Sequence, residues 1–111
     1  MNKVVLIGRL TKDAELMQLE GKERGVLRFT LAVDRRFSNN SGGKEADFIP
    51  VRYWSDFGHK IQPYLLKGKL IGVSGKVSTR SYTTDESAKR YVTEIEADNI
   101  QFLERKKEDI V

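Results

Sequence analysis

Val-Leu-Arg-Phe-Thr-Leu-Ala-Val, at residues 26–33, is the stretch of this sequence that most clearly predicts a β-strand. Its apolar residues recur at every second position, which is the period of a strand with one buried face. Leu27, Phe29, Leu31 and Val33 therefore share one face and are expected to line a hydrophobic core.

Four other segments are predicted to be strands: residues 3–10, 48–54, 69–82 and 90–102. Gly8, Gly72 and Gly75 lie within them, where a strand can bend or form a bulge. Turn-forming residues separate the strands as a polar stretch at 11–25, a long hairpin loop at 38–44 and a second loop at 83–89.

One helix is predicted between the third and fourth of these strands. Ser55 can cap its start, and Gly68 lies just past its end. Pro63 is expected to kink or shorten it. The apolar positions at helical spacing are Phe57, Ile61, Tyr64 and Leu65.

Five strands with one helix between the third and the fourth are the layout of the OB-fold, a five-stranded Greek-key barrel. The fold class is therefore all-β with one short helix, and another small β-barrel is the alternative. We expect one domain over residues 1–104 and a short, charged, disordered stub over residues 105–111.

Composition limits the possible functions. A chain of 111 residues has room for one core, and its lack of cysteine excludes disulfides and thiolate chemistry. The apolar run at the N-terminus is too short for a secretory signal or a membrane span, so a soluble, cytoplasmic protein is expected. The net charge of +4 suits a polyanionic partner but does not identify one.

The third predicted strand divides into two chemically different faces. Ile49, Val51 and Tyr53 are expected to face the core. The opposite face carries two aromatic side chains and a guanidinium group, a combination suited to base stacking; its members are Phe48, Pro50, Arg52 and Trp54.

The fourth predicted strand divides in the same way. Lys76, Arg80 and Tyr82 lie on its non-core face. Proteins that bind single strands combine cations for the phosphates with aromatic platforms for the bases, and stacking tolerates any base. The two strands together predict nucleic-acid binding with weak sequence preference.

Each of these side chains also has a plainer interpretation. Trp54 and Phe48 could be ordinary core residues, and any single Lys or Arg could be a solvated surface charge. The grouping of these residues, rather than any one of them, favours a binding site.

Catalytic and metal-binding patterns are weak. His59 is the only histidine and has no cysteine beside it to make a metal or nucleophilic set. Glu94 and Glu96 are interpreted as one outward strand face. We therefore predict no enzyme activity, no catalytic residues, no metal and no cofactor.

The chain closely resembles the bacterial and phage single-stranded DNA-binding protein family. The resemblance extends from residue 1 to about residue 103, in family order. The matching segments are residues 1–13 (MNKVVLIGRLTKD), 29–37 (FTLAVDRRF), 46–49 (ADFI), 64–68 (YLLKG), 79–82 (TRSY) and 90–94 (RYVTE).

The resemblance implies an OB-fold protomer, assembled as a homotetramer, that coats single-stranded DNA in replication, recombination and repair. It implies base stacking by four aromatic side chains, Phe37, Phe48, Trp54 and Tyr82. It also implies basic contacts from Arg9, Arg35, Lys67, Lys76 and Arg80, whereas Arg52 rests on the alternation argument alone.

The chain departs from the family pattern at three places. Ala14 stands where the family usually has proline, and residues 56–59 (DFGH) replace a commoner lysine- and alanine-containing helix start. Family members commonly end in a long tail with an acidic tip that recruits other proteins. Only residues 108–111 (EDIV) correspond to it here, so the resemblance does not extend to recruitment through a tail.

Two other functions are compatible with the same fold. One is an OB-fold scaffold that mainly docks other proteins, and the other is a module that binds RNA, which differs from DNA in its 2′-hydroxyl.

Overall fold

The computed structural model describes residues 1–19, 21, 24–36 and 45–104. The predicted loop at 38–44, the predicted stacking residue Phe37 and the predicted stub at 105–111 lie outside the described residues. The first four strands are β1 (Val4–Leu10), β2 (Glu15–Gln18), β3 (Gly25–Asp34) and β4 (Ala46–Ser55). Next come the helix α1 (Gly58–Ile61) and a 3₁₀ turn at Gln62–Tyr64, followed by β5 (Leu70–Thr83) and β6 (Lys89–Phe102).

The strands close into a barrel. Their order is β1-β5-β6-β4-β3-β2, and an additional pairing of β1 with β3 joins the two sides of the sheet. All neighbours are antiparallel except β4 and β6, which run parallel from Val51↔Ile95 to Tyr53↔Ala97. Five strands thus form the ring, as the predicted OB-fold requires.

The short strand β2 was not predicted. It pairs with β3 from Glu15↔Arg28 to Gln18↔Gly25, along the same edge of β3 that β1 reaches at Leu10↔Leu31. β2 therefore continues the line of β1 after an interruption at residues 11–14. The sequence has no clear alternation here, because Leu16 is the only residue of the strand that packs against the core.

The core fills the inside of the barrel with aliphatic side chains from every ring strand. Leu27, Leu31 and Ile71 are fully buried, as is Leu65, which follows the 3₁₀ turn. Each such side chain stabilises the fold by roughly 1.5–3 kcal/mol relative to an exposed one. The alternation predicted for residues 26–33 is confirmed, since Phe29 is also buried and Val33 packs against the cluster.

The helix is shorter than predicted. It begins after Phe57 rather than after Ser55, because Ser55 still belongs to β4 and pairs with Gly25. The Ser55 hydroxyl oxygen accepts a hydrogen bond from the Phe57 N–H at 3.0 Å, which turns the chain before the helix. The α-helical turns end at Ile61 and Pro63 lies in the 3₁₀ turn, so the predicted shortening is confirmed.

The hairpin of β5 and β6 is longer than the barrel needs. β6 pairs with β4 only through residues 95–97, whereas it pairs with β5 as far as Thr83↔Lys89. We call residues 77–83 with residues 89–94 the hairpin arm. The register shifts by one residue between Ser74 and Gly75, which leaves Asp98 as an extra residue in β6.

Candidate nucleic-acid interface

An open groove of about 540 Å³ lies between the outer faces of β3 and β4 and the hairpin arm. β4 contributes Phe48, Pro50 and Arg52 to it, and the arm contributes Arg80 and Glu94. In OB-folds this face of the second and third strands of the ring, here β3 and β4, binds oligonucleotides or oligosaccharides. The loop between the fourth and fifth strands of the ring, here β5 and β6, takes part in this binding. The groove therefore lies where this fold class binds polymers.

The two faces of β4 are as the alternation predicted. Val51 is buried at 1% exposure, and Ile49 and Tyr53 pack against the core, whereas Phe48 is 68% exposed on the outer face. Phe48 is paired across the strands with Ala32, which is paired with Arg9. An exposed ring in a groove can stack on a base without disturbing the core.

Trp54 is half-buried on the same face of β4, and two guanidinium groups approach its ring. The guanidinium carbons of Arg24 and Arg52 each lie 5.7 Å from the ring centroid. Both distances allow a cation–π interaction. Arg24 is also paired with Asp56 at 3.1 Å. Trp54 is therefore part of a surface cluster with arginines and not of the aliphatic core.

A buried carboxylate organises the basic side chains of the groove. Glu94 is 5% exposed and its Oε1 accepts hydrogen bonds from Arg80 Nε at 2.9 Å and from Arg52 Nη1 at 3.2 Å. Charge-assisted hydrogen bonds of this kind are stronger than neutral ones. Glu94 faces outward as predicted from the sequence, but it lies beneath the two arginines and not in solvent.

Tyr82 lies on the arm, on the same face as Arg80, and is 48% exposed. Its cross-strand neighbour is Arg90. An aromatic ring and a cation thus extend the surface of the groove along the arm.

The remaining basic residues of the prediction lie outside the groove lining. Arg9 donates to the carbonyl of Gly68 and to Glu104, both at 2.9 Å. Lys76 is 4.0 Å from Glu96. Lys67 is exposed, and its backbone N–H donates to Asp13, a groove residue, at 2.8 Å.

Arg35 is held by two carboxylates at the end of β3. It lies 3.0 Å from Asp47 and 2.9 Å from Glu45. The hydrogen bond from Arg35 to Asp47 and the charges of Asp47 and Glu45 raise the pKa of Arg35. Asp47 is adjacent to Phe48 in β4, so its side chain points to the opposite face of the strand.

Sequence reasoning missed several residues of this surface. Arg28 and Lys12 line the groove, and Arg24 covers Trp54. Arg28 lies in the stretch at 26–33, on the face opposite Leu27, so the alternation that identified the core could also have identified it. Arg24 and Lys12 precede or follow strands, where no periodicity indicates their direction.

Within the described ranges, no group of three or more His, Cys, Asp or Glu side chains is arranged to hold a metal ion. No helix in the described part of the chain is long and apolar enough to cross a membrane.

Comparison with known proteins identifies the family to which the chain belongs. The profile of the Single-strand binding protein family matches residues 1–103. Single-stranded DNA-binding protein 3 of Clostridium acetobutylicum is 56% identical over 104 residues, which are 94% of this chain and 72% of the relative. Single-stranded DNA-binding protein 1 of the same organism is 43% identical over 110 residues, covering 99% of this chain and 100% of the relative.

A solved structure has the same fold. The Plasmodium falciparum SSB complex with ssDNA matches with a TM-score of 0.79 and 26% identity, covering 94% of this chain and 96% of the other. The barrel and its groove of aromatic and basic side chains define an OB-fold protein of the oligonucleotide-binding class. Within that class, the chain belongs to the single-strand binding protein family, and the predicted fold and the predicted family are both confirmed.

Proposed function

We propose that this protein binds single-stranded DNA without sequence preference in the groove between β3, β4 and the hairpin arm. It would coat and protect the strand in DNA replication, recombination and repair, or in DNA uptake or phage replication. The observation that carries the proposal is the meeting of Phe48, Arg52 and Arg80 in one groove. The relatives named single-stranded DNA-binding proteins and the ssDNA complex of the solved neighbour support it.

Base stacking is assigned to the aromatic side chains. Phe48 offers the most exposed ring of the groove, Tyr82 offers a ring on the arm, and Trp54 lies beside Arg52. Phe37 is included by the family resemblance and lies outside the described residues. Each stacked base would contribute roughly 1–3 kcal/mol for any of the four bases, which explains the absence of sequence preference.

Phosphate binding is assigned first to Arg52 and Arg80, which line the groove with Arg28 and Lys12. The predicted contacts Arg9, Arg35, Lys67 and Lys76 would meet the strand where it continues beyond the groove. Neutralising phosphates releases condensed counterions, so the affinity falls as salt rises. We also propose that the protein, as one domain over residues 1–104, acts by binding alone, without a cofactor, in the cytoplasm at the nucleoid.

We propose in addition that the protomers assemble as a homotetramer. The outer face of β1 supports this, since Val5 and Ile7 are 70% and 58% exposed. They border a shallow groove of about 130 Å³ that also includes Leu103. Apolar side chains grouped on one strand face suit contact with a second copy of the chain. Sedimentation equilibrium of the protein and of the Val5→Lys, Ile7→Lys variant tests the assembly, and a wild-type monomer would remove it.

The binding proposal is tested by following the fluorescence of Trp54, the only tryptophan, during titration with thymidine oligomers. Duplex DNA and RNA of equal length are the controls. We expect quenching by the single DNA strand that weakens at higher salt, because Trp54 adjoins the groove. Equal binding of RNA would favour the RNA-binding alternative, and no binding of any strand would favour the protein-docking scaffold.

A further inference from the structure

Glu94 differs from the other two carboxylates of the groove lining, Asp13 and Glu15, because it is buried beside the arginine and lysine side chains of the groove whereas they are exposed. A negative charge near a bound polyanion opposes binding by Coulomb repulsion. A buried carboxylate is also costly unless it is paired. Arg52 and Arg80 supply the pairing that a buried carboxylate needs. They also offset its repulsion of a polyanion, because two guanidinium groups outweigh one carboxylate.

The geometry joins three neighbouring strands. β6 lies between β5 and β4 in the sheet, and Glu94 on β6 receives Arg80 from one side and Arg52 from the other. Both arginines bond to the same oxygen, Oε1. The carboxylate therefore draws the two guanidinium groups together across the width of the groove wall.

The nitrogen atoms through which Arg80 and Arg52 donate to Glu94 determine which of their N–H groups can still donate to a phosphate. Arg80 donates to Glu94 through Nε, so this contact does not use the N–H groups of its two terminal nitrogens. Arg52 donates through Nη1, and its guanidinium carbon is 5.7 Å from the Trp54 ring centroid. Glu94 thus connects Arg80 on the arm, which we assign to phosphate binding, with Arg52 on β4, which lies beside the ring of Trp54.

We propose that Glu94 is a positioning residue for DNA binding, which holds Arg52 and Arg80 in the conformations that receive phosphates beside Trp54. This inference rests on the proposed function of the groove. Long arginine side chains lose rotamer freedom when they bind a ligand, and groups that are already held in place lose less. Glu94 itself does not touch the DNA and acts only through the two arginines.

The direction in which DNA affinity changes on substitution distinguishes a positioning role from simple repulsion between the carboxylate and DNA. Glu94→Gln and Glu96→Gln each remove one negative charge from β6. Glu96 is the matched control because it lies 4.0 Å from Lys76, beyond hydrogen-bond distance, and outside the groove lining, so it does not hold that cation in one conformation. Electrostatics alone predicts that both variants bind DNA more tightly. Positioning predicts that Glu94→Gln binds roughly tenfold more weakly, because charge-assisted hydrogen bonds hold the arginines, while Glu96→Gln binds no more weakly than wild type.

Two readouts separate positioning from a merely structural effect. The slope of log K against log salt should become less steep by about 0.7 for each phosphate that the Glu94→Gln variant no longer neutralises. In a double-mutant cycle, Arg80→Ala should weaken binding much less in the Glu94→Gln background than in wild type. Thermal melting of every variant reports whether the fold is retained.

Wild-type-like or tighter binding by Glu94→Gln, with an unchanged salt slope, would overturn the inference and leave the proposed function intact. Failure of the wild-type protein to bind single-stranded DNA would instead remove the proposed function. If Glu94→Gln does not fold, Arg80→Lys serves as the second variant. It keeps the charge but loses the planar fork that can bond Glu94 and a phosphate together, so unchanged affinity and salt slope for Arg80→Lys would also overturn the inference.

Discussion

At the scale of single residues, exposure separates the side chains that we assign to ligand binding from those that maintain the barrel. Phe48 and Val51 are three positions apart in β4, yet one is 68% and the other 1% exposed. A substitution at Phe48 should therefore change binding, and a substitution inside the barrel should change stability.

Phe48→Ala should weaken the binding of a thymidine oligomer about 5- to 150-fold, because the stacking of one base contributes roughly 1–3 kcal/mol. Fluorescence anisotropy of a labelled oligomer measures the change in affinity. Tyr91→Ala is the control, because Tyr91 is 72% exposed but lies on the other face of the arm from Arg80. Equal weakening in the two variants would contradict a specific stacking role for Phe48.

A glycine is required at position 75 because β5 and β6 approach each other closely at the register shift. A Cβ atom built there would collide with the backbone carbonyl oxygen of Glu96. Gly75→Ala should therefore lower the free energy of unfolding by about 1–3 kcal/mol. Gly72→Ala, whose Cβ would meet nothing nearer than Leu103 Cδ1 at 3.7 Å, should cost much less. Urea denaturation compares them, and equal stabilities would show that the strands can move apart freely.

At the scale of secondary-structure elements, the hairpin arm matters most for the groove, because it forms one of the groove walls. Its residues 89–94 pair with β5 and not with β4, and it brings Arg80 and Glu94 to the groove. The side chain of Asn2 holds the root of this arm. Its Oδ1 accepts from the Val77 N–H and its Nδ2 donates to the Val77 carbonyl, both at 2.9 Å.

Asn2→Ala should release the root of the arm, because both backbone groups of Val77 lose their partner. Hydrogen exchange at the Val77 amide should accelerate, and stability should fall by about 1 kcal/mol. Lys3→Ala is the control, since the pair of Lys3 with Asp98 is exposed and contributes little. Unchanged protection of the Val77 amide in Asn2→Ala would show that the arm is held by β6 alone.

The elements also show what a local pattern can predict. The strands at β3, β4, β5 and β6 were predicted to within a few residues, because each is long enough for its residue pattern to be recognised. β2 was missed because a four-residue strand with one core contact has no detectable period. The helix was placed too early because Ser55 is a good cap by residue type but remains paired in β4.

At the scale of the whole molecule, charge distribution matters more than net charge. The excess of +4 is small, yet four cations, Lys12, Arg28, Arg52 and Arg80, line one groove, beside the three carboxylates Asp13, Glu15 and Glu94. These four groove contacts should contribute about −2.8 per protomer to the slope in a plot of log K against log salt, and phosphate contacts beyond the groove would make the slope steeper.

Anisotropy titrations between low and moderate salt measure this slope. Lys60→Gln removes a cation on α1, outside the groove lining, and should leave the slope unchanged. A wild-type slope near zero would mean that the groove cations do not meet phosphates.

The sequence by itself determined the family, the barrel class and the face on which Phe48, Arg52, Trp54, Arg80 and Tyr82 lie. These depend on local order and on a period of two, which any strand imposes on its side chains. Only the tertiary structure decided which charges meet. Glu94 is 42 positions from Arg52 along the chain, and Arg35, just after β3, pairs with Glu45 and Asp47 at the start of β4. Such contacts depend on strand order and register in the closed barrel, which no short stretch of sequence specifies.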